Sequence, residues 1–152
     1  MFTCFGWANV CSNRDHIDPL SDDESEFEEL AQKSDEQLYL ELEKKIDAVA
    51  INSWIEITFH RQFNNAYGVL SLIGNHNHRY EPAIDLFRWI AEHGKGSHGL
   101  LFVLDDEDQH RGRDNSNCYK VWKLLRGEVQ EIDDPFFSPY IPTVEGNPGK
   151  PL

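Results

Sequence analysis

The sequence predicts an α+β fold: a single-domain sandwich of a mostly antiparallel sheet and two main helices, in the order β-α-β-β-α-β-β-β. Three observations carry this. WIEITFH, residues 54–60, alternates apolar and polar side chains, the period of a strand buried on one side. EPAIDLFRWIAEHGKG, residues 81–96, repeats its apolar residues at helical spacing between a proline and a glycine. GLLFVL, residues 99–104, is apolar at every position, as a central strand covered on both faces would be.

A length of 152 residues suits one domain with its own core, expected over residues 1–146, with 147–152 a flexible tail. FTCFGWANV, residues 2–10, mixes aromatic and β-branched residues and reads as the first strand. A polar loop follows, then two capping boxes, Ser21 with Glu24 and Ser34 with Gln37. Phe27, Leu30, Ala31, Leu38, Leu42, Ile46 and Val49 recur at near-helical spacing. The pattern fits one long helix or two joined near Ser34; the favoured division is a main helix over about 35–50 and a weaker turn or helix before it, with acids on the solvated side.

In WIEITFH, Ile55, Ile57 and Phe59 should face one way and Glu56, Thr58 and His60 the other. Asn64 and Asn65 supply a reversal into YGVLSLIG, so the two strands form a hairpin. The next helix has Pro82 at its start, Gly94 at its stop and a buried stripe of Ala83, Ile84, Phe87, Ile90 and Ala91, with Trp89 flanking the core. CYKVWKLLRGEVQEI, residues 118–132, reads as a hairpin turning at Arg126–Gly127, with Lys120 and Lys123 giving its outward face positive charge. The proline-rich tail excludes regular helix and central strand. Phe136, Phe137, Tyr140 and Ile141 should nevertheless pack along the domain to about Val144.

The formal charge is −13, and residues 15–47 hold thirteen acids against Lys33, Lys44 and Lys45. Direct nucleic-acid binding is disfavoured, because phosphates need a basic footprint. A basic protein partner would be attracted. Cys4, Cys11 and Cys118 are odd in number and lack CxxC spacing, which suits reduced thiols in a cytoplasm. The first residues lack the basic and apolar regions of a signal peptide, and no apolar run reaches the roughly 20 residues of a membrane span.

Candidate chemistry is sparse. His76 and His78 stand two apart, so on a strand both rings would meet one ion, the basis of an alternative reading as a small metal-dependent hydrolase. DDEDQHRGRDNS fails as a calcium loop: counted from Asp106, Arg111 falls where glycine is needed and Asn117 where the bidentate glutamate belongs. GKGSHG lacks the P-loop pattern, and no G-x-S-x-G elbow occurs. The surface remains. Asp105, Asp106, Glu107 and Asp108 follow the apolar strand without a break, and charges carried on a rigid strand end lose little entropy on binding. The plain reading is a solvated loop that prevents aggregation.

FGWANV at the start, NHR at 77–79, GSHGLLFVLDDED at 96–108 and DPFFSPYIPTVEG at 134–146 together resemble the immunity protein 7 family of bacterial polymorphic toxin and contact-dependent inhibition systems. The resemblance covers most of the chain, and the pieces occur in matching order. It implies a cytoplasmic inhibitor, with neither catalysis nor cofactor, that binds the toxic C-terminal domain of a cognate effector. For a nuclease toxin, whose active site must be basic, an acidic inhibitor fits. Asp105, Asp106, Glu107 and Asp108, with Glu26 and Glu29 of the first helix, are the expected toxin contacts. Trp7, Asn77, His78, Arg79, Pro139 and Pro142 are expected as structural motif residues, with Asn77 to Arg79 bracing the turn before the second helix. A third reading is an interaction module that meets no toxin.

Overall fold

The computed structural model describes residues 1–12, 24–51, 54–63, 67–109 and 112–146, without the side chains of 24–28 and 62–63. The elements are β1 (Phe2–Val10), α1 (Glu24–Ala50), β2 (Trp54–Phe63), β3 (Tyr67–His76), α2 (Glu81–His93), β4 (His98–Asp105), β5 (Tyr119–Leu125), β6 (Glu128–Asp133) and a single turn, α3 (Tyr140–Thr143). The strands form one sheet in the order β2-β3-β1-β4-β5-β6, with every neighbouring pair antiparallel. The fold is therefore α+β with two main helices.

The connections explain which face the helices take. α1 carries the chain from β1 to β2 and α2 carries it from β3 to β4, each passing over one intervening strand. The two crossovers travel in opposite directions along antiparallel strands, so a shared handedness puts both helices on one face. They do meet there: α1 packs on α2 and β2, and α2 packs on β5 and β6.

Strand alternation divides the residues cleanly. Phe2, Cys4, Ala8 and Val10 of β1 turn toward the helices with Leu70 and Leu72, Ile55, Leu101 and Val103, and Trp122 and Leu124. Leu42, Ile84, Phe87 and Ile90 close over them without exposure. Burial with no compensating partner pushes the Cys4 thiol up to about 12. No disulfide joins the three cysteines; Cys4 and Cys11 are buried and Cys118 half-buried.

Four expectations need correction. α1 is one helix that runs through Ser34, and the expected box partner Gln37 instead reaches Glu41. Asp35 lies on the buried stripe, where its carboxylate accepts the Ser12 backbone N–H at 2.6 Å. Twenty-seven residues make a helix of about 40 Å, longer than the sheet it crosses, so its first turns overhang and leave Leu30 exposed. Lys120 and Lys123 stand on opposite faces of β5, since three residues is an odd step in a strand. The Ser21 box and the Asn64–Asn65 reversal lie outside the described residues, as does the tail over 147–152.

Two glycines answer to geometry. Arg126 and Gly127 both have positive φ, 51° and 77°, which closes the β5–β6 hairpin with the twist its strands need. Gly94 ends α2 at φ −117°, outside the left-handed region. It is required by crowding instead: a Cβ there would stand 2.8 Å from Ser97 Oγ and 2.9 Å from Leu38 Cδ2.

Candidate partner-binding surface

The apolar run of β4 meets its acids at a junction between strand and helix. Asp105 has the same parity as Leu101 and Val103, so it points under the helices and is buried. Its carboxylate lies 3.5 Å from Arg79 Nη1 and accepts the Glu107 N–H at 3.1 Å. Asp108 is also buried, and its N–H donates to the Asp105 carbonyl. Both are expected from sequence as solvated surface acids; inward parity draws in Asp105, and the attraction of the Arg79 guanidinium acts on both. Asp106 and Glu107 are exposed, Asp106 paired with the Met1 amine and Glu107 with His78 Nδ1 at 3.1 Å.

Arg79 is the centre of a charged network at the start of α2. Its Nε donates to Glu81 at 2.8 Å; Glu81 also accepts from Arg88, which bonds Asp85 and lies 5.1 Å over the Trp122 ring. Burial works against the Arg79 charge, but Glu81, Asp105 and Asp108 outweigh it and hold the guanidinium above its ordinary range. Burial likewise opposes ionisation of Glu81, and Arg79 and Arg88 outweigh that, holding its carboxyl below the usual range. The adjoining cavity, lined by Arg79, Asp105, Asp108, Lys120 and Trp122 among others, holds about 10 Å³, room for one water rather than a substrate.

β3 ends at His76, so His78 lies beyond the strand and the shared face expected of the two rings does not form. His76 Nδ1 instead faces the His78 carbonyl at 2.8 Å, and its ring packs against Tyr80. Among the described residues no group of three or more His, Cys, Asp or Glu is arranged to hold a metal ion. Asn77 is exposed in the same bend.

Opposite α1 and α2 lies a face that, among the described residues, only the tail with its single turn α3 covers, and only in part. One row crosses the whole sheet there: Glu56, Ile73, Phe5, Phe102, Val121 and Ile132 stand side by side on successive strands. Phe5 stacks on Phe102 at 4.9 Å, and Phe137 of the tail closes edge-on over both. Beyond that lid the row opens to solvent, Ile73 being 62% exposed. Trp54 is 85% exposed, and Trp7 is held at 42% by edge contact with His98. Apart from His60 and His98, formal charge on the described strands of this face is confined to Glu56, Lys123 and Glu128.

The tail that forms the lid is clamped by residues that periodicity did not single out. Asp134 accepts from Phe136 N, Phe137 N and Ser138 Oγ, and Ser138 Oγ accepts the Tyr119 N–H. The Asn117 amide pairs with both the N–H and the carbonyl of Ile141. Pro139 and Pro142 follow cis peptide bonds within this segment. Tyr140 packs on Tyr119, while Phe136, Ile141 and Val144 remain exposed rather than packed as expected. Ser97 fastens the opposite end of the sheet: its hydroxyl accepts the Cys11 N–H and donates to the Cys11 carbonyl. Ser97 and Asp134 fall inside the motifs that carried the family resemblance, the one sequence signal able to find them; Asn117 lies in the loop between two of those motifs.

The structure separates the two groups of expected contact acids. β1 starts beside Asp105, so α1 begins beyond the far end of the sheet and returns. Glu29 is exposed on its overhang, at the other end of the sheet from Asp106 and Glu107; the Glu26 side chain lies outside the described residues.

An apolar, sparsely charged sheet face beside an acidic turn, without a substrate-sized cavity at the charged cluster, has the make-up of a protein-binding domain. A family model described as Immunity protein 7 matches residues 1–146, and the chain belongs to that family. It is thus an immunity protein, whose partner is a cognate toxin protein. No match was found among curated proteins or among solved structures. No described helix is long and apolar enough to cross a membrane.

Proposed function

We propose that this protein binds the toxic C-terminal domain of a cognate polymorphic toxin of the contact-dependent inhibition kind, a nuclease, and neutralises it by covering its active site in the cytoplasm. The family match across residues 1–146 carries this reading. The charge of −13 supports the nuclease part: a site that holds phosphate must be basic, and an acidic inhibitor is drawn to it. In this reading the chain does no chemistry and needs no cofactor; it excludes nucleic acid by occupying the toxin.

The acids have divided roles. Asp106 and Glu107 face basic groups of the toxin, while Asp105 and Asp108 hold the turn in shape from beneath. Glu26 and Glu29 add attraction at longer range. A toxin lethal at few copies demands tight capture, on the order of nanomolar or about −12 kcal/mol.

Co-expression with the toxin domain encoded by the adjacent gene tests the reading. Cells carrying both should grow, and an equimolar amount of this protein should stop nucleic-acid hydrolysis in vitro. Continued killing, or turnover of a substrate by this chain alone, would overturn it. Reversing Asp106 and Glu107 to lysine should slow association at low salt.

A further inference from the structure

We propose that the sheet face opposite α1 and α2 is the surface that docks on the toxin, with Trp54, Ile73 and Trp7 as its apolar anchors and the acidic turn as its rim. This rests on the functional reading above and adds the interface to it.

Four features support the assignment. First, the chemistry of the face is that of an interface core rather than of this protein's general surface. Charged residues make up 27% of the chain, yet around Ile73 and Trp7 the exposed face offers Ser71 and Thr58, with Glu56 beside Ile73 and Lys123 two strands from Trp7 as the nearby charges. Interface cores are depleted in charge and enriched in aromatics. Second, the size is adequate. With strands about 4.8 Å apart and about 3.3 Å per residue, six strands offer roughly 600 Å² of face; the clamped tail brings this close to the ~800 Å² that one partner contributes to a stable complex. Third, Trp7 and the lid are held in place. Trp7 is braced by His98, and the lid over Phe5 is fixed through Asp134 and Asn117, so little side-chain freedom is lost on binding. Fourth, the rim is placed correctly. Trp54, Asn75, Thr3 and Leu104 form one row across β2, β3, β1 and β4, and the next residues of β4 lead into Asp106 and Glu107. The exposed acids thus border the Trp54 end of the face.

Charge selects the occupant. Two copies of this chain would bring −13 against −13 across the face, whereas a basic toxin meets an apolar centre with an acidic edge. The acids on the outer side of α1 then act on approach rather than in the complex. That division separates the rates: contacts in an interface core govern dissociation, and distant charges govern association.

The test uses the full chain and the adjacent-gene toxin domain, inactivated at its catalytic residue, with binding followed by surface plasmon resonance. Ile73→Glu combined with Trp54→Ala should weaken binding at least 100-fold, mainly through faster dissociation. Leu30→Ala and Leu40→Ala remove exposed apolar groups from the helix side and should bind within twofold of wild type. Glu36→Lys with Glu41→Lys should slow association and leave dissociation unchanged. Thermal melts establish that each variant is folded; should Ile73→Glu fail to fold, Trp54→Ala with Ile73→Ser carries the same expectation. If wild type binds and the face variants bind equally well, or if faster dissociation follows the α1 substitutions instead, the docking assignment falls and the immunity reading stands. If wild type does not bind, the immunity reading falls and the assignment with it. A wild-type dimer that Ile73→Glu converts to monomer would also overturn the assignment, giving the face to a second copy.

Discussion

The two faces of the sheet are made from the same strands, residue by residue in alternation, yet only one behaves as a core. Toward the helices, Phe2, Cys4, Leu70 and Leu101 are sealed by α1 and α2. On the other side, Phe5, Trp7, Ile73 and Phe102 are scarcely less apolar, but their cover is a short clamped tail over part of the area. Apolar character therefore has two uses here. On one face it supplies folding free energy; on the other it is left exposed, at some risk of aggregation, as binding surfaces must be. The acidic turn repeats the contrast at small scale: Asp105 and Asp108 serve the buried side and Asp106 and Glu107 the exposed side.

Substitutions can sharpen or break this contrast. The largest effect is expected at Phe87, fully buried between helix and sheet: Phe87→Ala should lower unfolding free energy in urea by about 3–5 kcal/mol. Arg79→Ala leaves Asp105 beneath α2 without its guanidinium. Buried pairs broken in this way lose more, but Arg79 is a third exposed, so about 2–3 kcal/mol is expected in the same assay. Asp134→Ala removes three hydrogen bonds from the tail clamp and should lower stability by about 1–2 kcal/mol while making residues 134–146 accessible to limited proteolysis. A smaller effect depends on pH. Because the folded Glu81 carboxyl is held below its ordinary value, its contribution is present above about 4.3 and is lost as pH falls through the lowered value. The stability gap between wild type and Glu81→Gln should therefore shrink between pH 7 and pH 3. The smallest effect is expected on the open face: Ile73→Ala should change stability by no more than ~0.5 kcal/mol. A loss there comparable to that at Phe87 would mean that both faces are core.

Much of the architecture was legible because strand and helix periods are strong wherever one side is buried. Ile55, Ile57 and Phe59 face the helices as their alternation required, and Arg126–Gly127 turns the last hairpin. The acids are harder to read, because charge by itself points to solvent. Parity said otherwise: Asp105 continues Leu101 and Val103, and Asp35 stands three and seven residues before Leu38 and Leu42 on one helical stripe. Each carboxylate sits where an apolar row ends and backbone or guanidinium donors need an acceptor. Two things lay outside periodicity. The length of α1 relative to the sheet decides that Leu30 is exposed, and only assembled strands show that. The clamp by Asn117 and Asp134 joins a loop to an irregular tail, and irregular chain has no period to read.

Cys4 gives the molecule an internal clock. Its sulfur sits at the centre of the covered face on β1, between β3 and β4, with an ionisation near 12 that leaves almost no thiolate at neutral pH. A maleimide can reach it only when the helices or β1 open, whereas Cys118, half-buried, should react faster. The ratio of the two labelling rates should therefore report how often the whole domain opens, in free protein and in a captured complex alike.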